Sequence, residues 1–575
     1  SDVAEIRVGP QMRRGIADLD GEGEVVGGVV VMRWGENATK TIAAVKHRLT
    51  ELGSSIPDGV EIVTTYARSG LIERSVDTLT STLIKEFLIV ALICAVFLFH
   101  VRSSAVIVLS LPLGVLVAFI IMRLQGINAN IMSLGGIAIA VGAMVDSAIV
   151  MIENVHKHIE REALTDDNRW RVISSAASEV GSPLFFSLLI ITMSFLPVFT
   201  LEAQEGRLFA PLAFTKTYAM AAAAVLSITL VPVLMGYFIR GKVIREKNNP
   251  VNRVLIAIYR PIIRAVMLRP RSALLIAVGL LLTGIWPATR LGSEFMPPLD
   301  EGDLMYMPTT YPGVSIDKAR EKLQHTDKMI MKVPEVKRVF GKIGRAETAT
   351  DPAPLTMIET IIQLKPQEDW RHGMTSENLR AELDRAVRYT GLTNAWVMPI
   401  KTRLDMLATG IKTPVGIKVA GPDLDVIGQI GEQLEQILGD VPGTASVYSE
   451  RVTGGRYVDV DIDRRRASRF GLNINDVQDI VRSAVGGMDV TYTLEGLERY
   501  PVNLRYPQRV RDSVEQLKLL PIVTPSGARI ALADVATVQV TDGPPVIKSE
   551  NARLNGWVYI DIANRDLGSY VADAQ

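Results

Sequence analysis

Apolar residues gather into six long runs along the chain, at 83–99, 105–122, 131–152, 183–199, 211–239 and 272–288. At 1.5 Å of rise per residue such runs approach or exceed the hydrocarbon thickness of a bilayer, and 131–152 would be about 33 Å long as a helix. Pro112 and Pro232 fall inside two of them. Membrane helices tolerate this where neighbours satisfy the backbone groups that proline frees. The pattern predicts a bundle of six transmembrane helices over 81–290. Basic residues then set the sidedness. The links after the third and fifth runs carry Lys157, Arg161, Arg169 and Arg171 and the strongly basic stretch 240–271, and Arg102 lies between the first two runs. The links after the second and fourth runs carry only Arg123 and Arg207. Positive loops stay cytoplasmic, so 1–80 and 291–575 are expected together on the outer side.

Outside the runs the periodicity alternates between two and 3.6. Strands are predicted at 27–33 and 60–66 and a helix at 39–52, an incomplete α/β segment. A helix over 67–85 leads into the first run. Segments 155–181 and 251–263 read as amphipathic helices on the cytoplasmic surface. From residue 294 the order is strand 304–307, helix 315–331, strands 337–343 and 357–364, helix 376–386 and strand 394–399. That βαββαβ order is the split-βαβ, ferredoxin-like arrangement. A second α/β unit follows, with strands at 415–419, 445–450, 456–462 and 556–562 and a helix at 424–438. It holds an insert with a helix at 474–485 and strands near 490–494 and 502–506. The expected fold class is an α+β membrane protein: six transmembrane helices plus outer ferredoxin-like subdomains.

Composition narrows the function. The 575 residues are 48% hydrophobic and carry no net charge, so no overall field favours nucleic acid. The one cysteine, Cys94, sits in an apolar run, which excludes a disulfide framework and a cysteine metal cluster and suits a small hydrophobe. No GxxxxGK(S/T), HExxH, CxxC or GxSxG stretch occurs, leaving ATP drive and the common hydrolytic chemistries without a motif. His156 and His158 diverge by about 200° on a helix and make poor joint metal ligands.

Two sets of residues carry candidate chemistry. Asp146 lies inside 131–152, where a carboxylate costs at least ~2.5–3.5 kcal/mol on insertion scales. It either carries protons or is held structurally by hydrogen bonds to neighbouring helices. Met144 and Met151 are two turns apart and share a face, Asp146 and Glu153 share another, and Met132 lies about 120° from Met144. Further on, three stretches place a methionine among charges: EGDLMYM (301–307), DPAPLTMIE (351–359) and RLDMLATGIK (403–412). Thioether sulfur is a soft ligand suited to Cu(I) and needs no deprotonation. Methionine is equally at home as core filler, and sequence alone leaves both readings open.

The stretches GAMVDSAIVMIENVHK (142–157), FMPPLDEGDLMYMP (295–308), RVFGKIGRAETATDPAPL (338–355) and MLATGIKTPVGIKVAG (406–421) resemble the copper- and silver-exporting heavy-metal efflux pumps of the resistance-nodulation-division (RND) superfamily. The resemblance runs through the whole chain, which reads as the central part of a longer one. It implies a three-methionine site, Met307, Met357 and Met406, in a periplasmic cleft bordered by Glu301, Asp351, Glu359, Arg403 and Lys412. The two cations oppose a metal ion there and are expected to pair with Glu301, Asp351 or Glu359. It further implies a methionine relay through the membrane at Met132, Met144, Met151 and Met220, and Asp146 as proton carrier. Divalent-cation relatives tend to carry a second acid two turns before the Asp146 position; here 139–140 are Ile and Ala, which favours a monovalent ion.

The implied protein is a secondary transporter and not an enzyme, with Cu(I) or Ag(I) as cargo and no tightly bound cofactor. It would sit in a bacterial inner membrane as a homotrimer, with a periplasmic membrane-fusion adaptor and an outer-membrane channel as partners. Its domains would be an incomplete porter/docking segment (1–80), the membrane domain (81–290), a porter subdomain (291–400) and a second porter subdomain with a docking insert (401–575). Export of divalent cations (Zn, Co, Cd) or organic drugs is the nearest alternative. A non-transporting membrane protein for protein export or lipid handling is a more distant one.

Overall fold

Lipid offers no hydrogen bonds, so an apolar run that crosses it must satisfy its own peptide groups, and the described residues of each of the six runs lie mainly in helices. The computed structural model describes residues 4–9, 13–98, 100–162, 164–240, 249–294, 300–346 and 353–575. The chain divides into two compact units. One comprises Met32–Glu61 and Ala67–Leu291. Its helices are α1 (Ala38–Leu52), α2 (Arg68–Leu98), α3 (Val101–Leu124), α4 (Ile131–Arg161), α5 (Arg169–Met193), α6 (Ala203–Ile228), α7 (Leu230–Phe238), α8 (Pro250–Leu268) and α9 (Pro270–Ala288). Six helices among the described residues are long and apolar enough to span a membrane: α2, α3, α4, α5 with its extension to Thr200, α6 and α9.

α4 is the centre of this unit. Asn130 Oδ1 accepts from the Ser133 N–H at 2.8 Å while Ser133 Oγ accepts from the Asn130 N–H at 2.8 Å, closing a reciprocal cap at its start. Its buried face packs Ile137, Met151 and Ile152 against Ile107 of α3, Ile173 of α5, Met220 of α6 and Met235 of α7. Between helices in lipid the hydrophobic effect is weak, so close approach at small residues matters more. At Gly114 of α3 an added Cβ would lie 2.2 Å from the Met144 methyl, and at Gly236 of α7 it would lie 2.2 Å from the Trp170 ring.

Three expectations need correction. The segment 155–181 is not one surface helix: α4 continues to Arg161, a turn follows, and α5 starts at Arg169. Its apolar positions, Val155 and Ile159 on α4 and Val172, Ile173 and Ala176 on α5, are the inner faces of two packed helices. The run 211–239 breaks at Thr229, whose Oγ1 donates to the Val225 carbonyl at 2.7 Å. Pro232 cannot donate to the Ile228 carbonyl, so the helix restarts as α7. Residues 27–33 and 60–66 form no strand. Val29, Val30 and Val31 are 67–86% exposed, and β-propensity without a partner strand leaves the chain extended but unpaired.

The other unit is Ser1–Val31, Ile62–Tyr66 and Gly292–Gln575. It begins with β1 (Gly15–Leu19) and β2 (Gly23–Val25). Then come β3 (Asp303–Tyr306), β4 (Thr309–Thr310), α10 (Ile316–Ile330), β5 (Val336–Gly344), β6 (Ile358–Leu364), α11 (Ser376–Ala386), β7 (Leu392–Thr393) and β8 (Trp396–Val397). The sheet order is β2-β1-β5-β6-β3-β8, with every neighbouring pair antiparallel, and β4 pairs with β7 separately. Leu304, Tyr306, Val339, Ile362, Leu379 and Trp396 form the core between this sheet and its helices.

α12 (Pro399–Thr409) was not expected from the hydrophobic pattern; it starts with proline and ends at Gly410 in the left-handed conformation, φ +80°. Beyond it lie β9 (Val415–Gly421), α13 (Leu424–Gly439) and β10 (Thr444–Ser449), with β9 and β10 both pairing with the long strand Arg553–Ile562. A hairpin, Met488–Glu495 with Glu498–Leu504, is exposed at every position.

Candidate functional site

The three candidate methionines lie just after β3, just before β6, which pairs with β3, and on α12, which contacts β3. Met307 directly follows β3 and is fully buried; its N–H donates to the Ala395 carbonyl at 2.9 Å. Two residues on, Thr309 forms a β-bridge with Met357, the residue before β6. The neighbouring bond from the Thr310 N–H to the Thr356 carbonyl, 3.0 Å, reinforces that pairing. Met406 lies in the second half of α12, half-buried.

Glu301 fixes α12. This helix has no side-chain cap of its own, and the Glu301 carboxylate, 4% exposed, accepts from the Ile400 N–H and the Lys401 N–H at 2.8 Å each. Its negative charge thus meets the positive end of a helix, reached from about a hundred residues earlier in the chain. Lys412, just past the helix, is 7% exposed. Its Nζ donates to the Met307 carbonyl at 3.0 Å and to Thr309 Oγ1 at 2.6 Å. Burial pushes this ammonium down to about 8, while Glu359 and Glu450 pull it back up.

Among the described residues these hydrogen bonds and ion pairs differ from the expected charge pairing with Glu301 and Glu359. Lys412 holds neutral oxygens. Glu359 is bound by Lys342 at 2.8 Å, its register partner across β5 and β6. Arg403 faces solvent on α12, where the ion pair is Lys401 with Asp405 at 2.6 Å. Asp351 lies outside the described residues. Among the described residues no set of three or more His, Cys, Asp or Glu side chains is arranged to hold a metal ion.

In the helical unit Met144, Met151 and Met220 are buried in one core, and Met132 is half-buried. Met235 of α7 is fully buried in the same core. It went unnoticed in the sequence because a methionine within an apolar run carries no signal of its own. Asp146 lies on the exposed stripe of α4 with Ile139, Gly142, Val150 and Glu153. Glu153 pairs with Lys157 at 2.6 Å. His156 and His158 address different helices: His156 Nε2 meets Ser103 Oγ of α3 at 2.7 Å, and His158 Nε2 meets Glu179 of α5 at 2.7 Å. Ser103 Oγ is also 2.7 Å from His100 Nδ1, which accepts the Ser103 N–H at 3.2 Å and so caps α3.

Residues 1–575 match the AcrB/AcrD/AcrF family profile. The chain belongs to this family. Among relatives in the AcrB/AcrD/AcrF family, it is 58% identical over 581 residues to the cation efflux system protein CusA of Escherichia coli (strain K12), covering 100% of this chain and 56% of the relative. It is 56% identical over 579 residues to the putative cation efflux system protein SilA of Salmonella typhimurium, covering 100% and 55%. With the cobalt-zinc-cadmium resistance protein CzcA of Cupriavidus metallidurans the identity falls to 34% over 589 residues, covering 100% and 55%. A crystal structure of a heavy metal efflux pump superposes with a TM-score of 0.88 at 27% identity, covering 100% of this chain and 56% of that one. The chain spans about half the length of the curated relatives it matches. The kinship with heavy-metal RND pumps inferred from the sequence stands, and the CusA and SilA relatives are named as cation efflux proteins.

Proposed function

We propose that the chain serves proton-coupled export of monovalent copper and silver, with the cation held by the thioethers of Met307, Met357 and Met406. The observation that carries this reading is the junction at Thr309, which sets the Met307 and Met357 main chains side by side while Glu301 fastens the helix of Met406 nearby. Soft sulfur donors, with no competing carboxylate or imidazole cluster among the described residues, suit a monovalent coinage metal better than a hard divalent ion. Identity to the CusA and SilA proteins well above that to CzcA points the same way.

In this reading Met132, Met144, Met151 and Met220 form a relay through the bilayer. Asp146, on an open face of α4, takes up and releases the coupled proton. The six apolar helices lie in a bacterial inner membrane and the sheet-bearing unit lies in the periplasm, with 291–400 as a ferredoxin-like porter subdomain. The strand order β5-β6-β3-β8, alternating with α10 and α11, supports that description. The segments 1–80 and 401–575 are the incomplete porter and docking parts. The working assembly is a homotrimer engaged with a membrane-fusion adaptor and an outer-membrane channel.

Titration of the detergent-purified chain with Ag(I) tests the site. Met307→Ile, Met357→Ile and Met406→Ile should each weaken binding by at least tenfold, because each removes one soft ligand of similar volume. Unchanged affinity in all three refutes the site. Selectivity is read from growth of a pump-deficient host carrying the complete pump on Cu, Ag, Zn and Co salts. Protection against Zn or Co alone overturns the choice of ion, and a complete pump with Asp146→Asn should protect no better than none.

A further inference from the structure

Lys412 is out of place beside a cation site if its charge is what matters. An ammonium repels a monovalent metal, and a buried one does so with little screening from water. Its surroundings show a different use. It is buried, its ring neighbour is Tyr559 at 5.4 Å, and its two bonded partners are the Met307 carbonyl and the Thr309 hydroxyl. Thr309 is the residue that bridges to Met357. The Met307 N–H is separately tied to Ala395. Met307 is thus gripped at both its N–H and its carbonyl, and one of the two grips also holds the strand partner of Met357. Lysine suits this task because three donors on a flexible stem reach two acceptors that arginine's planar fork would not match.

We propose that Lys412 is a positioning residue: by binding the Met307 carbonyl and the Thr309 hydroxyl together, it sets the spacing of the Met307 and Met357 sulfurs for the cation. This rests on the reading of Met307, Met357 and Met406 as the cation's ligands. Of the acids nearby, Glu359 is bonded to Lys342 at 2.8 Å and Glu450 to Lys548 at 2.6 Å, and both act on Lys412 through their charge. It belongs with the outer partners that orient metal ligands, whose loss typically costs about 10–100-fold in affinity.

The sign of one effect separates positioning from electrostatics. Lys412→Leu removes the charge and the donors while keeping most of the volume. Positioning requires Ag(I) to bind the 575-residue chain about 10–100-fold more weakly. Relief of repulsion alone requires equal or tighter binding, and that result overturns the proposal. Should Lys412→Leu fail to fold, Thr309→Val decides: it should lose a similar factor, with Thr309→Ser, which keeps the hydroxyl, within about threefold of wild type. The double variant Lys412→Leu/Thr309→Val should be little worse than Lys412→Leu alone, because that change already breaks the bond to Thr309 along with the one to the Met307 carbonyl. A lysine with only a structural role would lower the melting temperature and leave the affinity of the folded chain alone, which also refutes the proposal. Met307→Ile is the control. If it abolishes binding while Lys412→Leu and Thr309→Val do not weaken it, positioning fails and the site stands. If it has no effect, the site itself fails and positioning falls with it.

Discussion

Replacing Glu301 by alanine should free α12 at its start. The carboxylate is the acceptor for two N–H groups, those of Ile400 and Lys401, and the helix has no other side-chain cap. Hydrogen bonds to charged groups contribute roughly 1.5–3 kcal/mol each, and a charge at a helix N-terminus a further ~0.3–1. Both bonds share one carboxylate, and removing it also relieves the cost of burying it, so a net loss of about 2–4 kcal/mol is expected. For local opening, 1.4 kcal/mol is tenfold, so hydrogen exchange across 399–409 should quicken by roughly 30- to 700-fold at a pH where exchange follows opening. Glu301→Gln keeps one oxygen acceptor and should lie between the two. Mass-spectrometric exchange of peptides from this segment gives the readout, with strands β5 and β6 as an internal reference. Exchange in Glu301→Ala within twofold of wild type would mean that the contact does not hold the helix, and the account of how Met406 is placed would fall with it.

A second prediction concerns pH. Asp327 is completely buried, accepts from Thr360 Oγ1 at 3.0 Å, and lies beside the buried Asp18; burial first, then the Asp18 charge, raises it well above the usual carboxylate value of 3.8. The folded chain then keeps a proton that the unfolded chain gives up, so this stabilisation is complete below 3.8 and declines as pH rises above it. Thermal melts should show the decline, and Asp327→Asn should flatten it; an unchanged slope in the variant argues against a buried protonated acid. In the helical unit, Gly114→Ala places a Cβ 2.2 Å from the Met144 methyl and should cost about 1–3 kcal/mol by overpacking. Met144→Ala in the same chain should recover most of that in detergent melts, and no recovery would mean that the two residues do not touch.

What the sequence revealed tracks how local the physics is. Run length alone found the helices of the membrane candidate unit, because apolar length is set residue by residue. The break at Thr229 depends on one missing amide at Pro232, and a hydropathy window averages that away. The strand β1 pairs with β5, register Ala17 with Lys342, and no short-range pattern could announce so distant a partner. α12 had its signals, Pro399 at the start and Gly410 at the end, but the charges between them drew attention to the stretch as a motif. The methionines were singled out through resemblance to a family. The roles of Glu301 and Lys412 were not, because each is defined by main-chain groups of other elements, and a charge in a sequence says nothing about which dipoles will surround it.

One hydroxyl at the corner of α3 restricts two imidazole rings at once. His100 Nδ1 receives the Ser103 amide and therefore presents a lone pair, so the Ser103 hydroxyl must give it its single hydrogen. The same oxygen can then only receive, and His156 must offer Nε2–H to it. The tautomers of both rings are locked in sequence, and the polarity of this short chain runs one way, from α4 towards the cap of α3. A proton arriving at His100 Nδ1 would reverse a donor and break this chain of hydrogen bonds, while the Ser103 N–H would keep its 3.0 Å bond to the His100 carbonyl, so the polarity of the corner would change and the start of the helix would not.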